Sequence, residues 1–321
     1  MVQTSKILSV GFVEGIEQAY PIDVLKTLLL DRTTGKNIIW ADDEYEALGI
    51  GYMGNNQITI SSITGLKSGV IKPRIAKEQE QQSLRTKSRA EVFTPSWLCN
   101  QMNNHIDSEW FKRPDVFNSE GENSWKATEE NISFPDDPHK TWRDYVDCRK
   151  LEITCGEAPF ICSRYDTVTG VDLSVKERIG FLDRKLRIVS ENATDYNEWL
   201  KWAYRALESS YGYEYQGDNL VIARINVLES FAEHMQDRWE KWPDDSEALQ
   251  ATKIVSWNIW QMNGLTGAVP SDKPVGEEMQ MSLFDFEDNT ETWNAPFCLI
   301  YDWRARKSQT YVSLKHEGKA L

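Results

Sequence analysis

LEITCGEAPFICSRY, Leu151 to Tyr165, reads as a buried strand that ends in a small-residue turn and opens a helix. Such a turn suits a ligand because Gly156 has no Cβ to hold it off, and the amides at a helix start lack partners. In this reading Glu152 lies late in the strand, Gly156 makes the turn, and Ala158, Pro159 and Phe160 open the helix. Ala158 is tolerable there if its φ is negative. The thiol of Cys155 is read as a small packing group, because no His lies near it in sequence.

Two further stretches flank this one. Upstream, AEVFTP (Ala90 to Pro95) precedes SWLCNQMNNHID, in which Leu98, Met102 and Ile106 share one helical face. Pro95 fits the first turn of that helix, with Thr94 or Ser96 as cap. A plain helix start would explain the same residues without a ligand. Downstream, GYEYQGDNLVIARINVL (Gly212 to Leu228) gives a short strand ending at Glu214, then a helix beginning at Asp218 or Asn219. Leu220, Ala223, Val227 and Phe231 face the core of that helix, which leaves Glu214 at the carboxyl end of a strand. An acid placed there accepts both ribose hydroxyls of an adenosine-containing ligand, or is simply a surface carboxylate.

Taken in that order, the three stretches resemble the cofactor-binding half of amino-group DNA methyltransferases, specifically the adenine-modifying subunits of restriction-modification systems. The resemblance implies a three-layer Rossmann-like α/β fold that uses S-adenosyl-L-methionine. It assigns Phe93, Thr94 and Pro95 to the methionine end of the cofactor. The loop after the first strand would be Glu152, Cys155, Gly156, Ala158 and Phe160, and the ribose acid Glu214. Ile153 and Thr154 replace the family's usual Pro-Ala, and Ala158 stands where a second Gly is common. KIVSWNIWQMNGL (Lys253 to Leu265) reads as a third strand, and Asn263 occupies the place of the family's adenine-binding acid.

Methylating adenine requires a poorly nucleophilic exocyclic amine to be flipped out, stacked on an aromatic ring and hydrogen-bonded. The family does this with Asn-Pro-Pro-Tyr or Asp-Pro-Pro-Tyr, a tetrapeptide missing from this sequence. WNAPF keeps Asn294, Pro296 and Phe297 but precedes an apolar strand (FCLIYDW) where the family's motif follows one. Both readings stand: a degenerate catalytic site, or a linker in a subunit that retains the fold to hold DNA or a partner.

Composition bounds the rest. With 40% apolar residues and 13 Trp, the 321-residue chain has material for a packed core. Five Cys without zinc-like spacing, and an N-terminus without signal character, predict a reduced, cytoplasmic protein without a metal. No apolar run has the length of a membrane span. A net charge of −14 confines any DNA contact to a local patch or a partner subunit. The run from Lys67 to Arg89 is that patch, or a solvated basic helix.

The expected organisation is an N-terminal lobe (1–88), a cofactor-binding domain (89–270), and an acidic linker with a C-terminal strand pair (271–321). Helices are expected near Ile22 to Leu30 and around Trp199 to Leu207, and strands at Asn37 to Trp40 and Leu186 to Ser190. Residues 111 to 147 read as an irregular insertion. Within the linker, QMSLF (Gln280 to Phe284) resembles the peptide by which bacterial DNA-handling proteins dock on the sliding clamp; an ordinary packing segment explains it equally.

Overall fold

The computed structural model describes residues 15–77, 94–270 and 295–316. Phe93, Asn294, Gln280 to Phe284 and the Arg85 to Arg89 end of the basic run lie outside them.

The described chain is a mixed α/β structure around a three-stranded parallel sheet. Its helices of six residues or more are α1 (Ile22–Leu29), α2 (Ser96–Phe111), α3 (Trp142–Asp147), α4 (Phe181–Asn192), α5 (Tyr196–Glu208), α6 (Gly217–Trp239), α7 (Asp245–Asn258) and α8 (Tyr311–His316). A hairpin, β1 (Asn118–Gly121) and β2 (Ser124–Ala127), lies between α2 and α3. The central sheet is β3 (Lys150–Glu152), β4 (Ser210–Glu214) and β5 (Ile259–Gln261), in the order β3-β4-β5. Two helices connect each consecutive pair, as parallel pairing demands of a crossover. A second antiparallel hairpin, β6 (Leu299–Asp302) and β7 (Lys307–Thr310), comes before α8.

Side-chain alternation gives the sheet two different faces. Gly212 is on the face that meets the β3 loop, where a Cβ would stand 2.8 Å from Ile161 Cδ1 and 3.2 Å from Cys155 Sγ. The absent side chain is what lets the loop pack against β4. Tyr213 and Trp260 instead join Cys298, Ile300 and Tyr311 in a small aromatic core under the C-terminal hairpin.

Residues 16–71 contribute Ile16, Leu28, Trp40 and Ile71 to the same buried cluster as α4, α6 and α7. Polar groups fasten this lobe as well. Gln261 at the end of β5 accepts from the Ile39 amide at 2.9 Å and donates to the Ile39 carbonyl at 2.8 Å. Arg224, fully buried in α6, donates to the carbonyls of Leu28, Leu30, Ile259 and Ser256.

Several expectations change here. The Leu186 to Ser190 stretch is inside α4, because Leu182, Leu186 and Val189 bury at helical spacing. Lys253 to Asn258 continues α7, so the third strand is only Ile259–Gln261. Asn37 to Trp40 forms isolated bridges to Leu30 and Gln57 instead of a strand. Pro95 takes the N-cap position of α2, outside its first turn, and neither Thr94 nor Ser96 caps it by side chain. The face of α2 carrying Met102 and Ile106 is exposed, and the buried face is Asn100, Asn103, Asn104 and Asp107. Helices α1, α5 and α6 form where their apolar spacing predicts.

Replacing Arg224 by Met leaves four buried carbonyls without their donor, at a cost on the order of 3 kcal/mol or more. Urea denaturation of Arg224→Met is expected to show that loss. Lys at this position should recover only part of it, since an ammonium does not reproduce the guanidinium fork.

Candidate functional site

The chain leaves β3 through three left-handed residues, Thr154 (φ 47°), Gly156 (φ 53°) and Ala158 (φ 68°). Ala158 therefore departs from the expected negative φ, at a cost of about 1–3 kcal/mol that its surroundings must offset. No helix opens at Ala158. A single turn follows, with the Ile161 and Cys162 amides donating to the Ala158 carbonyl, and regular helix waits until Phe181.

Two carboxylates hold this loop. Glu214, at the end of β4, accepts from the Gly156 amide at 2.8 Å through Oε2 and from the Gln216 amide at 3.0 Å through Oε1. Glu152, at the end of β3, accepts from the Ile161 amide at 3.1 Å and the Phe160 amide at 3.4 Å. The Cys155 amide extends the sheet by donating to the Tyr213 carbonyl at 2.8 Å. Glu152, Cys155, Gly156, Ala158, Phe160 and Glu214 thus form one hydrogen-bonded unit at the carboxyl ends of adjacent parallel strands. That end of a parallel sheet is where open α/β folds place ligands. Ile153 and Thr154 are its exposed rim, while Gly156 and Phe160 are half-buried.

Burial pushes the Glu152 carboxyl well above the usual carboxylate range; its two amides oppose the rise and the Glu214 charge adds to it. Burial also raises Glu214, against the amides of Gln216, Gly156 and Tyr215, with Asp218 adding to the rise. The Cys155 thiol is pushed up by burial and by these two acids, so it is a protonated packing group.

Thr94 and Pro95 reach this end of the sheet through a second clamp. Asp166 Oδ2 accepts from the Ser96 amide at 2.7 Å, supplying from 70 residues away the cap that α2 lacks locally. Thr167 Oγ1 donates to the Thr94 carbonyl at 3.2 Å. Asn263 sits in the loop after β5, where its Oδ1 already accepts from the Leu265 amide at 3.0 Å. Pro296 and Phe297 lie against that loop: the Val269 amide donates to the Pro296 carbonyl at 3.1 Å, and Phe297 bridges Ala268 with its ring half exposed. The loop unit and the Asn263–Phe297 group therefore occupy separate strand ends.

Glu157 and Asp166 carry no signal in the sequence, and Lys77 was read only as one cation of the basic run. Glu157 is buried and accepts from the Arg74 amide at 2.6 Å and the Tyr165 hydroxyl at 2.5 Å, while Asn226 donates to its carbonyl at 3.0 Å. Asn226 lies on α6. Lys77, from the basic run, is buried in an ion pair with Asp218 at 2.9 Å. Of that run, Lys72 is exposed and Lys67 half-buried.

A cleft lined by Tyr211, Trp260, Tyr301 and Tyr311, with Arg149 and Asp302, lies on the opposite face of the sheet. It does not include the loop unit. Among the described residues, no group of three or more His, Cys, Asp or Glu is placed to hold a metal ion, and no helix is long and apolar enough to cross a membrane.

Comparison with known proteins finds no matching family model, no similar curated protein and no similar solved structure.

A carboxylate whose folded pKa lies above its unfolded one holds its proton more tightly in the fold. Ionising Glu214 therefore removes stability as pH rises from the ordinary value of 4.5 through the raised one. Urea titrations of the wild type and Glu214→Gln from acid to neutral pH should show the wild type losing stability relative to the variant across that window. A difference that is flat or grows with pH would contradict the buried, ionisable Glu214.

Proposed function

We propose that the loop unit binds S-adenosyl-L-methionine in a Rossmann-like methyltransferase fold. The chain would then be an adenine-N6 DNA methyltransferase, or its cofactor-binding modification subunit, in restriction-modification or phage defence. The observation that carries this reading is the 2.8 Å bond between the Gly156 amide and Glu214. It joins two residues that the resemblance assigns to one cofactor pocket, the Gly of the first loop and the ribose acid, and sets them at the carboxyl ends of neighbouring strands.

The residues fit such a ligand. Glu214 accepts from the amides of Gly156, Gln216 and Tyr215, and of a carboxylate's roughly four lone-pair sites this leaves limited acceptor capacity for a ribose hydroxyl. Gly156 offers a backbone without a Cβ, and Thr94 and Pro95 are fixed to the same end of the sheet by Asp166 and Thr167. When bound, the cofactor supplies a sulfonium methyl for transfer to an amine. Within this reading Glu214 orients the ribose, and Glu152 holds the loop that closes on the adenosyl group.

A second reading is favoured by one specific observation. Both oxygens of Glu214 and both of Glu152 hold backbone amides, so the two acids serve the architecture whether or not a ligand is present. A non-catalytic subunit that retains the fold to bind DNA or a partner has the same use for them. Under either reading, Lys67 and Lys72 remain for phosphate contact, since Lys77 is committed to Asp218.

Isothermal titration of S-adenosyl-L-methionine into the whole chain tests the first reading. One-site binding is expected, weakened roughly tenfold or more in Gly156→Val, where a branched side chain meets a left-handed backbone. Absence of heat from the folded wild type would remove the cofactor reading. Binding without methyl transfer to adenine-containing DNA would select the second.

A further inference from the structure

We propose that the cleft between the central sheet and the C-terminal hairpin is a second ligand site, which takes a flat heterocyclic ring joined to an anionic group. This rests on the cleft alone and not on the cofactor reading. Side-chain alternation puts Leu151, Tyr211, Tyr213 and Trp260 on one face of the sheet. The hairpin and α8 cover that face unevenly. Tyr213 and Trp260 are 6% and 3% exposed, while Leu151 and Tyr211, toward the β3 edge, are only half-buried. The cleft is the part left open, with Ile300, Gln309, Tyr311 and Leu314 on its hairpin side.

Its aromatic wall is held from behind. The rings of Tyr213, Trp260 and Tyr311 meet pairwise, with centroids 5.7 to 5.9 Å apart. Such a fixed wall, beside aliphatic Leu151, Ile300 and Leu314, suits a flat ring. The Tyr211 hydroxyl donates to the Tyr301 carbonyl at 3.4 Å, which is long for an O–H···O bond. Burial pushes the Tyr211 phenol up to about 12, so it stays a protonated donor at neutral pH.

Two polar side chains of the hairpin, the Gln309 amide and the Lys307 ammonium, have no partner among the described residues. Strand register sets where they point. Ile300 pairs with Gln309 and Asp302 with Lys307, so all four share one face of the hairpin. Ile300, Asp302 and Gln309 line the cleft, which puts Lys307 at its mouth. Asp302 is engaged elsewhere: its Oδ1 accepts from the Arg304 and Ala305 amides at 2.9 Å, and its Oδ2 lies 3.7 Å from Arg149. Arg149 therefore has its counterion, and Lys307 does not.

These groups define the ligand's chemistry. The Gln309 carboxamide offers a donor and an acceptor side by side, the arrangement with which amide side chains read the edge of a nitrogen heterocycle. A hydrocarbon ring or an acyl chain would leave that amide unpaired in an apolar cleft. Lys307 at the mouth takes the anionic group. A mononucleotide and a heterocyclic carboxylic acid share this chemistry. S-adenosyl-L-methionine carries a sulfonium where this site calls for an anion, so the cleft does not duplicate the loop unit.

The test is calorimetric titration of the intact chain with uridine 5′-monophosphate, orotate, uridine and ribose 5-phosphate. One of the two ring-bearing anions should bind at a single site, and uridine and ribose 5-phosphate, each lacking half of the chemistry, should bind on the order of tenfold more weakly or not at all. Tighter binding of the nucleotide or of orotate identifies the source, and either supports the site. Lys307→Glu should weaken the anions on the order of tenfold while leaving uridine unchanged. Gln309→Leu should weaken the anions and uridine alike, with circular dichroism and melting temperature unchanged in both variants. No binding of either anion by the folded wild type would overturn the proposal. So would ribose 5-phosphate binding as tightly as the nucleotide, or anion binding that both variants leave intact. Gly156→Val should leave this binding untouched, so loss of S-adenosyl-L-methionine binding with anion binding retained would defeat the cofactor reading alone.

Discussion

A carboxylate at the end of each of two adjacent parallel strands, bonded to backbone amides of one loop, is the constraint on which the rest of this structure depends. Glu214 holds Gly156, and Glu152 holds Phe160 and Ile161. These bonds stabilise a path that the backbone would not choose, through three left-handed residues of which only one is glycine. Buried carboxylates are costly unless each oxygen finds donors. Here the donors are amides with no ladder or helix to join, so the acids and the loop solve each other's problem. The same arrangement places Cys155 and Ile161 against the bare Cα of Gly212, which fixes the loop's distance from the sheet.

Around this unit, side chains take over connections that secondary structure leaves open. Gln261 pairs with both backbone groups of Ile39 as a strand would. Arg224 draws carbonyls from α1, α7 and β5 onto one guanidinium. Asp166 caps α2 from a distant loop. Each joins segments far apart in the chain, so the site's geometry is a property of the whole fold and not of a local motif.

This explains what the sequence disclosed. The strand ends at Glu152 and Glu214, and the helices α1, α5 and α6, were legible because apolar spacing and a terminal acid are local signals. The helix expected after Ala158 was not, because after one turn bonded to the Ala158 carbonyl the helical bonding stops, with the Phe160 and Ile161 amides also held by Glu152. Leu186 to Ser190 misled because Arg187 between Leu186 and Ile188 imitates the alternation of a strand, and the helical period appears only when Leu182 is included. Lys253 to Leu265 misled because the boundary between α7 and β5, at Asn258 and Ile259, has no Gly or Pro to mark it. Leu98, Met102 and Ile106 gave the right helix and the wrong face, since the helix satisfies its interior with amide pairs. The site was therefore readable as a set of strand ends, while the clamps that position it, Asp166, Glu157 and Lys77, were not.

The central claim is that the two acids hold the loop through its amides. Site-resolved hydrogen exchange at Gly156 and Ile161 in the intact chain tests it most directly. The account predicts protection of both amides comparable to the ladder amides of β4. Exchange of Gly156 as fast as that of an exposed rim residue such as Thr154 would contradict it.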